Sequence, residues 1–77
     1  MPTPTETLRH FGERVRASRH ERGLSQEGLA ARAGLHWTYV GQVERGQRNL
    51  SLNNLLRIAQ ALDVDPGQLV SGLFPSE

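Results

Sequence analysis

The sequence of 77 residues contains no cysteine and no lysine, and it has only one tryptophan, one tyrosine and two phenylalanines. The absence of cysteine excludes disulfides and thiolate metal sites. No apolar run approaches the roughly 20 residues that span a bilayer. The start, MPTPTETL, has neither the basic nor the apolar segment of a secretory signal. We therefore expect a cytoplasmic protein that has no membrane partner.

Positive charge is concentrated in residues 9–48, where eight arginines stand against four glutamates and give a net charge of +4. Residues 49–77 carry a net charge of −2. All nine cations are arginine, a side chain that binds phosphate or guanine through paired hydrogen bonds. Genomic codon bias is the alternative explanation for the missing lysine. The arginines therefore favour a nucleic-acid partner only together with the helix pattern of the same region.

Apolar spacing and capping residues predict five helices and no strand, which is an all-α domain with one small core. The predicted helices are Leu8–Arg22 with Thr7 as N-cap, a second helix between Ser25 and Gly34, His36–Arg45, Ser51–Leu62 and Asp65–Ser71. Residues 1–6 are predicted to form a flexible, extended N-terminal segment, residues 7–74 a single domain and residues 75–77 a short tail.

The third predicted helix has two faces of different chemistry. At 100° per residue, Val40 and Val43 lie on one side of the helix. The opposite sector, about 140° wide, carries five residues: Trp37, Thr38, Gly41, Gln42 and Arg45. A helix that docks through two valines and exposes aromatic, hydroxyl, amide and guanidinium groups is typical of one that enters the DNA major groove. Gly41 is expected to allow close approach to the groove.

The polar residues of this region predict particular contacts with double-stranded DNA. Gln42 can pair with adenine N6 and N7, and Thr38 can bond a base or touch a thymine methyl. Trp37 can pack on a thymine methyl or on the sugar backbone, and Arg48 can contact guanine. Phosphate contacts are expected from Gln26, His36, Arg45 and Asn49. The alternatives are that Trp37 folds back onto the domain and that Gln42 is ordinary surface.

The segment LSQEGLAARAGLHWTYVGQVERGQRNLSLNNLLRIAQAL resembles the lambda-repressor/Cro-like (XRE) helix-turn-helix pattern, and the resemblance extends over residues 8–73. The matching residues are Gln26, Leu29, Ala30, Gly34, Val40, Glu44, Gly46, Leu55, Ala59 and Leu62. Within it, TYVGQVERGQRNLSL is similar to the controller proteins of restriction–modification systems. The sequence departs from those proteins at Trp37, where they often carry an arginine that contacts guanine, and at Gly28, to which we assign no role.

The resemblance implies a five-helix domain whose second and third helices form the helix-turn-helix, and a homodimer that binds a pseudo-palindromic operator. It implies base contacts from Trp37, Thr38, Gln42 and Arg48, and phosphate contacts from Gln26 and Tyr39. It also implies a structural ion pair between Arg19 and Glu44. Repression and activation are not distinguishable from the sequence. Glu27 on the second helix is a candidate contact for RNA polymerase, although a helix-dipole role explains it equally well.

Apolar residues near the C-terminus exceed what one side of a small domain needs, and they predict a two-fold interface formed by Leu69, Val70, Leu73 and Phe74. The alternative is that these residues fill the monomer core. The histidines do not cluster with one another or with several carboxylates, and no phosphate loop or metal motif is present, so we expect neither an enzyme nor a cofactor. An antitoxin-like, protein-binding regulator is the competing hypothesis, and the salt dependence of binding distinguishes the two.

Overall fold

The computed structural model describes residues 4–75, and within that range the chain forms five α-helices and no strand. The helices are α1 (Pro4–Glu21), α2 (Gln26–Ala33), α3 (Trp37–Glu44), α4 (Leu52–Leu62) and α5 (Pro66–Val70). The predicted all-α class and the number of helices are confirmed. None of these helices has the length and apolar character needed to cross a membrane.

The first helix begins earlier than predicted. It starts at Pro4, where the fixed φ of proline suits the first turn and its missing N–H costs nothing. The predicted N-cap Thr7 is therefore wrong, and the predicted extended segment overlaps the helix at residues 4–6. Instead of capping, the Thr7 hydroxyl donates to the backbone oxygen of Phe74 at 3.0 Å. The remainder of the predicted segment, residues 1–3, and residues 76–77 of the predicted tail lie outside the described residues.

The other helices begin at polar side chains that accept hydrogen bonds from the exposed N–H groups of the first turn. Ser25 Oγ accepts from the Gly28 N–H at 2.9 Å, and Ser51 Oγ accepts from the Asn54 N–H at 3.1 Å. Asp65 caps α5, whose first residue is Pro66. The sequence predicts Pro66 at the first helical position after Asp65, and this is confirmed. The predicted start at Ser51 is one residue early, because Ser51 is the cap and not the first helical residue.

The hydrophobic core takes side chains from all five helices. Seven of them are almost completely buried: Val15, Leu29, Val40, Val43, Ile58, Leu62 and Leu69. Leu69 was predicted at the dimer interface, and this prediction is wrong. Leu69 is only 2% exposed in the single chain and is not available to a partner. The short helix α5 is thus fixed to the core through Leu69, and Val70 beside it remains on the surface.

Helices α1 and α3 cross at a distance that only glycine permits. A Cβ atom added to Gly12 would overlap the Val43 carbonyl oxygen and would lie 2.6 Å from the Glu44 carbonyl oxygen. Gly46 has φ +75°, and a Cβ there would lie 2.7 Å from Arg9 Cα. These two glycines bring the backbone of α1 against the end of α3, so that α3 is held against the domain by α1 as well as by its valines.

Candidate nucleic-acid interface

A tight turn joins α2 to α3. Gly34 ends α2 in the left-handed conformation, with φ 69° and ψ 34°, and its N–H donates to the Ala30 carbonyl. The next N–H, that of Leu35, donates to the same carbonyl at 3.0 Å. His36 then caps α3, because its Nδ1 accepts from the Thr38 N–H at 3.2 Å. Helices α2 and α3 with this turn form the predicted helix-turn-helix. Because His36 is the cap, α3 starts at Trp37, one residue later than predicted.

The N-terminal end of α3 carries an exposed pair of aromatic rings. The Trp37 side chain is on the surface with the residue 54% exposed, so the alternative that it folds back onto the domain is not what the structure adopts. Its ring stacks on His36, with centroids 6.3 Å apart and planes 21° apart. Because Nδ1 of His36 is used by the cap, Nε2 is the nitrogen that is left to face a ligand. Thr38 is exposed beside this pair.

Gly41 is not on the exposed surface, which corrects the predicted face of α3. The residue is buried, and a Cβ there would lie 3.3 Å from Arg45 Nη1 and 3.4 Å from Gln26 Oε1. The side chains of Arg45 and Gln26 therefore lie over Gly41. The absence of a side chain at Gly41 makes room for these two polar groups. The prediction that Gly41 allows close approach to the DNA groove is therefore wrong, because its backbone is covered.

Four polar residues form one connected network: two lie in α3, one in the connection after it and one in α4. Arg48 Nε donates to Gln42 Oε1 at 2.8 Å, and the Arg48 guanidinium lies 5.5 Å from the centroid of the Tyr39 ring. The Tyr39 hydroxyl accepts from Asn54 Nδ2 at 3.2 Å, so its own proton remains available for an acceptor such as phosphate. The structure thus brings together three predicted contact residues. It adds Asn54, which the sequence analysis missed because no periodic signal marks one amide in the polar first turn of α4.

A buried ion pair lies behind this surface, between the residues for which the family resemblance implies one. Arg19 Nε lies 2.6 Å from Glu44 Oε2, and Arg19 Nη2 lies 3.0 Å from Glu44 Oε1. Gln26 Nε2 also donates to Glu44 Oε1, at 3.1 Å. Because Glu44 only accepts, the amide nitrogen of Gln26 must face it, and the amide oxygen lies towards Gly41. The first residue of α2 is thereby positioned by α1 and α3 together.

The other predicted contact residues lie in the connection that follows α3. Arg45 is the C-cap residue of α3 and is exposed, and its Nε lies 3.4 Å from Gln47 Oε1. Asn49 is exposed in the same connection. The Arg45 side chain lies with that of Gln26, from the start of α2, over Gly41 of α3. In residues 4–75, no group of histidine and acidic residues is arranged to hold a metal ion.

Large apolar side chains remain exposed away from the helix-turn-helix, and we call them the apolar patch residues: Leu52, Leu56, Val70 and Phe74. Leu73, which the sequence predicted at the dimer interface, is half-buried against the core. Val70, Leu73 and Phe74 also line an open groove of about 250 Å³, whose other wall comes from α1 and the connection before α4. Three of the four predicted interface residues are therefore accessible at least in part, and Leu69 is not.

Comparisons with known proteins agree with this architecture. The helix-turn-helix family model matches residues 15–69. The control protein C.BamHI of Bacillus amyloliquefaciens is 46% identical over 61 residues, which are 78% of this chain and 75% of that protein. The crystal structure of the restriction–modification controller protein C.AhdI from Aeromonas hydrophila superposes with a TM-score of 0.79 at 56% identity, over 80% of this chain and 94% of that one. The DNA-binding domain of the P22 c2 repressor gives a TM-score of 0.77 at 32% identity, over 80% and 82% of the two chains.

Proposed function

This chain belongs to the helix-turn-helix family and is a DNA-binding transcription regulator, and from that premise we propose that it binds a pseudo-palindromic operator as a homodimer. The family consists of DNA-binding regulators and not of enzymes. We further propose that the chain works in the cytoplasm as a controller protein of a restriction–modification system. The similar control proteins support this more specific role.

The observation that supports this proposal most directly is the composition of the surface around α3. The exposed residues Trp37 and Thr38 and the half-exposed Gln42 occupy the helix that would enter the major groove. Arg45 and Arg48 flank it at the C-terminal end. Base-edge donors at the centre with cations at the edge are the arrangement by which proteins combine sequence specificity with phosphate binding. Gln26, Tyr39, His36 and Asn49 are proposed as further phosphate contacts.

The apolar patch supports the dimer. We propose that a second copy of the chain covers Leu52, Leu56, Val70 and Phe74. Leu52 and Leu56 are exposed one turn apart on α4, and Val70 and Phe74 line one groove. Exposed apolar surface of this kind on a small domain marks an association surface. A closed two-fold contact would place two α3 helices about 34 Å apart, which is one turn of DNA. We also propose Glu27, which is exposed in the first turn of α2, as a contact for RNA polymerase.

The decisive experiment is a salt titration of binding to randomised DNA duplexes and to the sequences selected from them. We expect log K to fall linearly with log salt by about 0.9 for each phosphate neutralised. Selection should yield two inverted half-sites, and sedimentation should give two chains per duplex. Binding that responds little to salt, with no enriched sequence, would instead support the competing hypothesis of a protein-binding, antitoxin-like regulator.

Two single variants give this titration an internal control. Arg45→Ala removes an exposed cation beside α3 and should reduce the salt slope by about 1. Arg22→Ala removes a cation that is held at the end of α4 by the Asp63 carboxylate and carbonyl, with Nη1–Oδ2 at 3.7 Å and Nη2–O at 3.0 Å. The Arg22 variant should leave the slope unchanged, because its charge is not part of the proposed DNA surface.

A further inference from the structure

We propose that Arg48 determines what Gln42 recognises, so that the two side chains together select guanine and not adenine. The inference rests on the proposed function, since it concerns the base that the DNA-binding surface reads. It revises the expectation, drawn from the sequence alone, that Gln42 pairs with adenine. Arg48 acts here as a positioning residue for Gln42, in addition to any contact that it makes itself.

The orientation of the Gln42 amide is fixed by chemistry. Arg48 Nε lies 2.8 Å from Gln42 Oε1, and a guanidinium group carries donors only. The oxygen of the amide must therefore be the atom that faces Arg48. The two N–H groups on Gln42 Nε2 are left to face outwards. Gln42 is half-exposed and Arg48 is exposed, so both side chains are within reach of a ligand at the surface.

Tyr39 and Asn54 support Arg48 in this position. Its guanidinium lies 5.5 Å from the centroid of the Tyr39 ring, within the range of a cation–π contact. The Tyr39 hydroxyl in turn accepts from Asn54 Nδ2 at 3.2 Å. Arg48, in the connection after α3, thus contacts Tyr39 of α3, and Tyr39 is in turn hydrogen-bonded to Asn54 of α4. A braced guanidinium loses less freedom on binding than a solvated one, so the amide orientation is prepared before DNA arrives.

The two purines require opposite arrangements of donors. A glutamine pairs with adenine by accepting from N6–H with its oxygen while it donates to N7 with its nitrogen. Guanine offers two acceptors in the major groove, O6 and N7, and requires donors alone. With Oε1 bonded to Arg48, the outward groups of the pair are the N–H groups of Gln42 and the remaining N–H groups of Arg48. A bidentate adenine contact would need the second lone pair of the oxygen that already accepts from Arg48. A guanine contact uses only the donors of the pair that have no partner, so guanine is the better match.

The test is selection from randomised DNA duplexes by the full chain, carried out at low salt so that weakened variants still bind. We expect the wild type to select guanine at one position of each half-site and Gln42→Ala to lose the preference at that position. Arg48→Met keeps an apolar stem but removes the donor. It should shift the preference at the same position from guanine towards adenine by about tenfold, since a bidentate pair discriminates between bases by about 5- to 150-fold.

The matched control is Arg45→Met, which removes an exposed arginine that contacts Gln47 and not Gln42. It should weaken binding to all sequences alike and leave every base preference unchanged. The inference is overturned if Arg48→Met behaves in the same way as Arg45→Met, if it leaves unchanged the preference at the position that Gln42→Ala alters, or if the wild type selects adenine there. A wild-type chain that enriches no sequence would overturn the proposed function itself, and the inference with it. Unchanged melting temperatures of the exposed-site variants establish that they are folded.

Discussion

The Glu44 carboxylate connects three helices. It lies in α3, pairs with Arg19 of α1 through both oxygens, and accepts a third hydrogen bond from Gln26 of α2. Both charges of the pair are buried, so each depends on the other for the neutralisation of its charge. An acid exposed near phosphates would oppose DNA binding, whereas one that is neutralised by Arg19 within the domain does not. The role of Glu44 is therefore structural, and it reaches the DNA surface only through Gln26.

Replacement of Glu44 tests this role. Glu44→Ala leaves Arg19 buried without its partner, and we expect a loss of about 3–5 kcal/mol in the free energy of unfolding. Denaturant titration measures the loss. The control is Glu13→Ala, because Glu13 makes only exposed contacts, with Arg9 at 3.5 Å and His10 at 3.6 Å. That change should cost less than about 1 kcal/mol. Unchanged stability of Glu44→Ala together with an altered half-site preference would contradict the structural assignment.

At the scale of helices, the sequence was informative wherever a local rule applies. Ser25, Gly34 and Ser51 mark helix ends because a cap or a left-handed residue is a requirement of the backbone nearby. The start of α1 was predicted four residues late, because Pro4 is compatible both with an extended segment and with a first helical turn. Val40 and Val43 face the core as their spacing predicts.

The spacing of residues within a helix does not predict contacts between elements, since these depend on where helices meet. The Arg19–Glu44 pair was expected only from the family resemblance. The spacing of α3 placed Gly41 on the outer face, and only the structure reveals that Gln26 and Arg45 cover it. Gly12 carries no signal in the sequence, although it lies at the closest approach of α1 to α3. The network from Gln42 to Asn54 likewise joins α3, a connection and α4.

The crossing of α1 and α3 gives a prediction at this scale. Gly12→Ala places a methyl group against the backbone carbonyls of Val43 and Glu44. These carbonyls belong to α3, so the overlap can be relieved only if α1 and α3 move apart. We expect a loss of about 1–3 kcal/mol in stability, although alanine is the better helix former. The control is Gly67→Ala in α5, where the nearest atom, Asp65 Oδ1, lies at an ordinary 3.5 Å. Thermal melting should find that variant as stable as the wild type or more so, and a stable Gly12→Ala would contradict the close crossing.

At the scale of the whole molecule, the polar surface of the helix-turn-helix and the apolar patch are formed by different residues. The helix-turn-helix carries polar and cationic groups, and the apolar patch carries Leu52, Leu56, Val70 and Phe74. The C-terminal part of that patch is held to α1, because Arg14 Nη1 donates to the Ser71 carbonyl at 2.6 Å and Thr7 donates to the Phe74 carbonyl. The same helix α1 contacts α3 through Gly12. Helix α1 therefore connects Phe74 to α3, and in the proposed dimer this connection would set the spacing of the two α3 helices.

This separation predicts that dimerisation and DNA contact can be lost independently. Phe74→Ser and Leu52→Ser each remove an exposed apolar side chain of the patch, with 69% and 71% of the residue exposed. Each should weaken self-association about tenfold or more, because burial of a large apolar side chain contributes about 1.5–3 kcal/mol. Operator binding should weaken with it at low protein concentration. Sedimentation equilibrium measures the first effect and DNA titration the second.

The matched control is Trp37→Ser, which removes a large apolar side chain, 54% exposed, from the proposed DNA-binding surface. It should leave self-association unchanged and weaken binding to the operator at every protein concentration. Equal self-association of wild type, Phe74→Ser and Leu52→Ser would exclude the patch as the dimer contact. Loss in only one of the two patch variants would restrict the interface to α4 or to the segment after α5. Because raising the protein concentration restores a weak dimer but not a missing base contact, the concentration dependence of operator binding distinguishes the two kinds of loss.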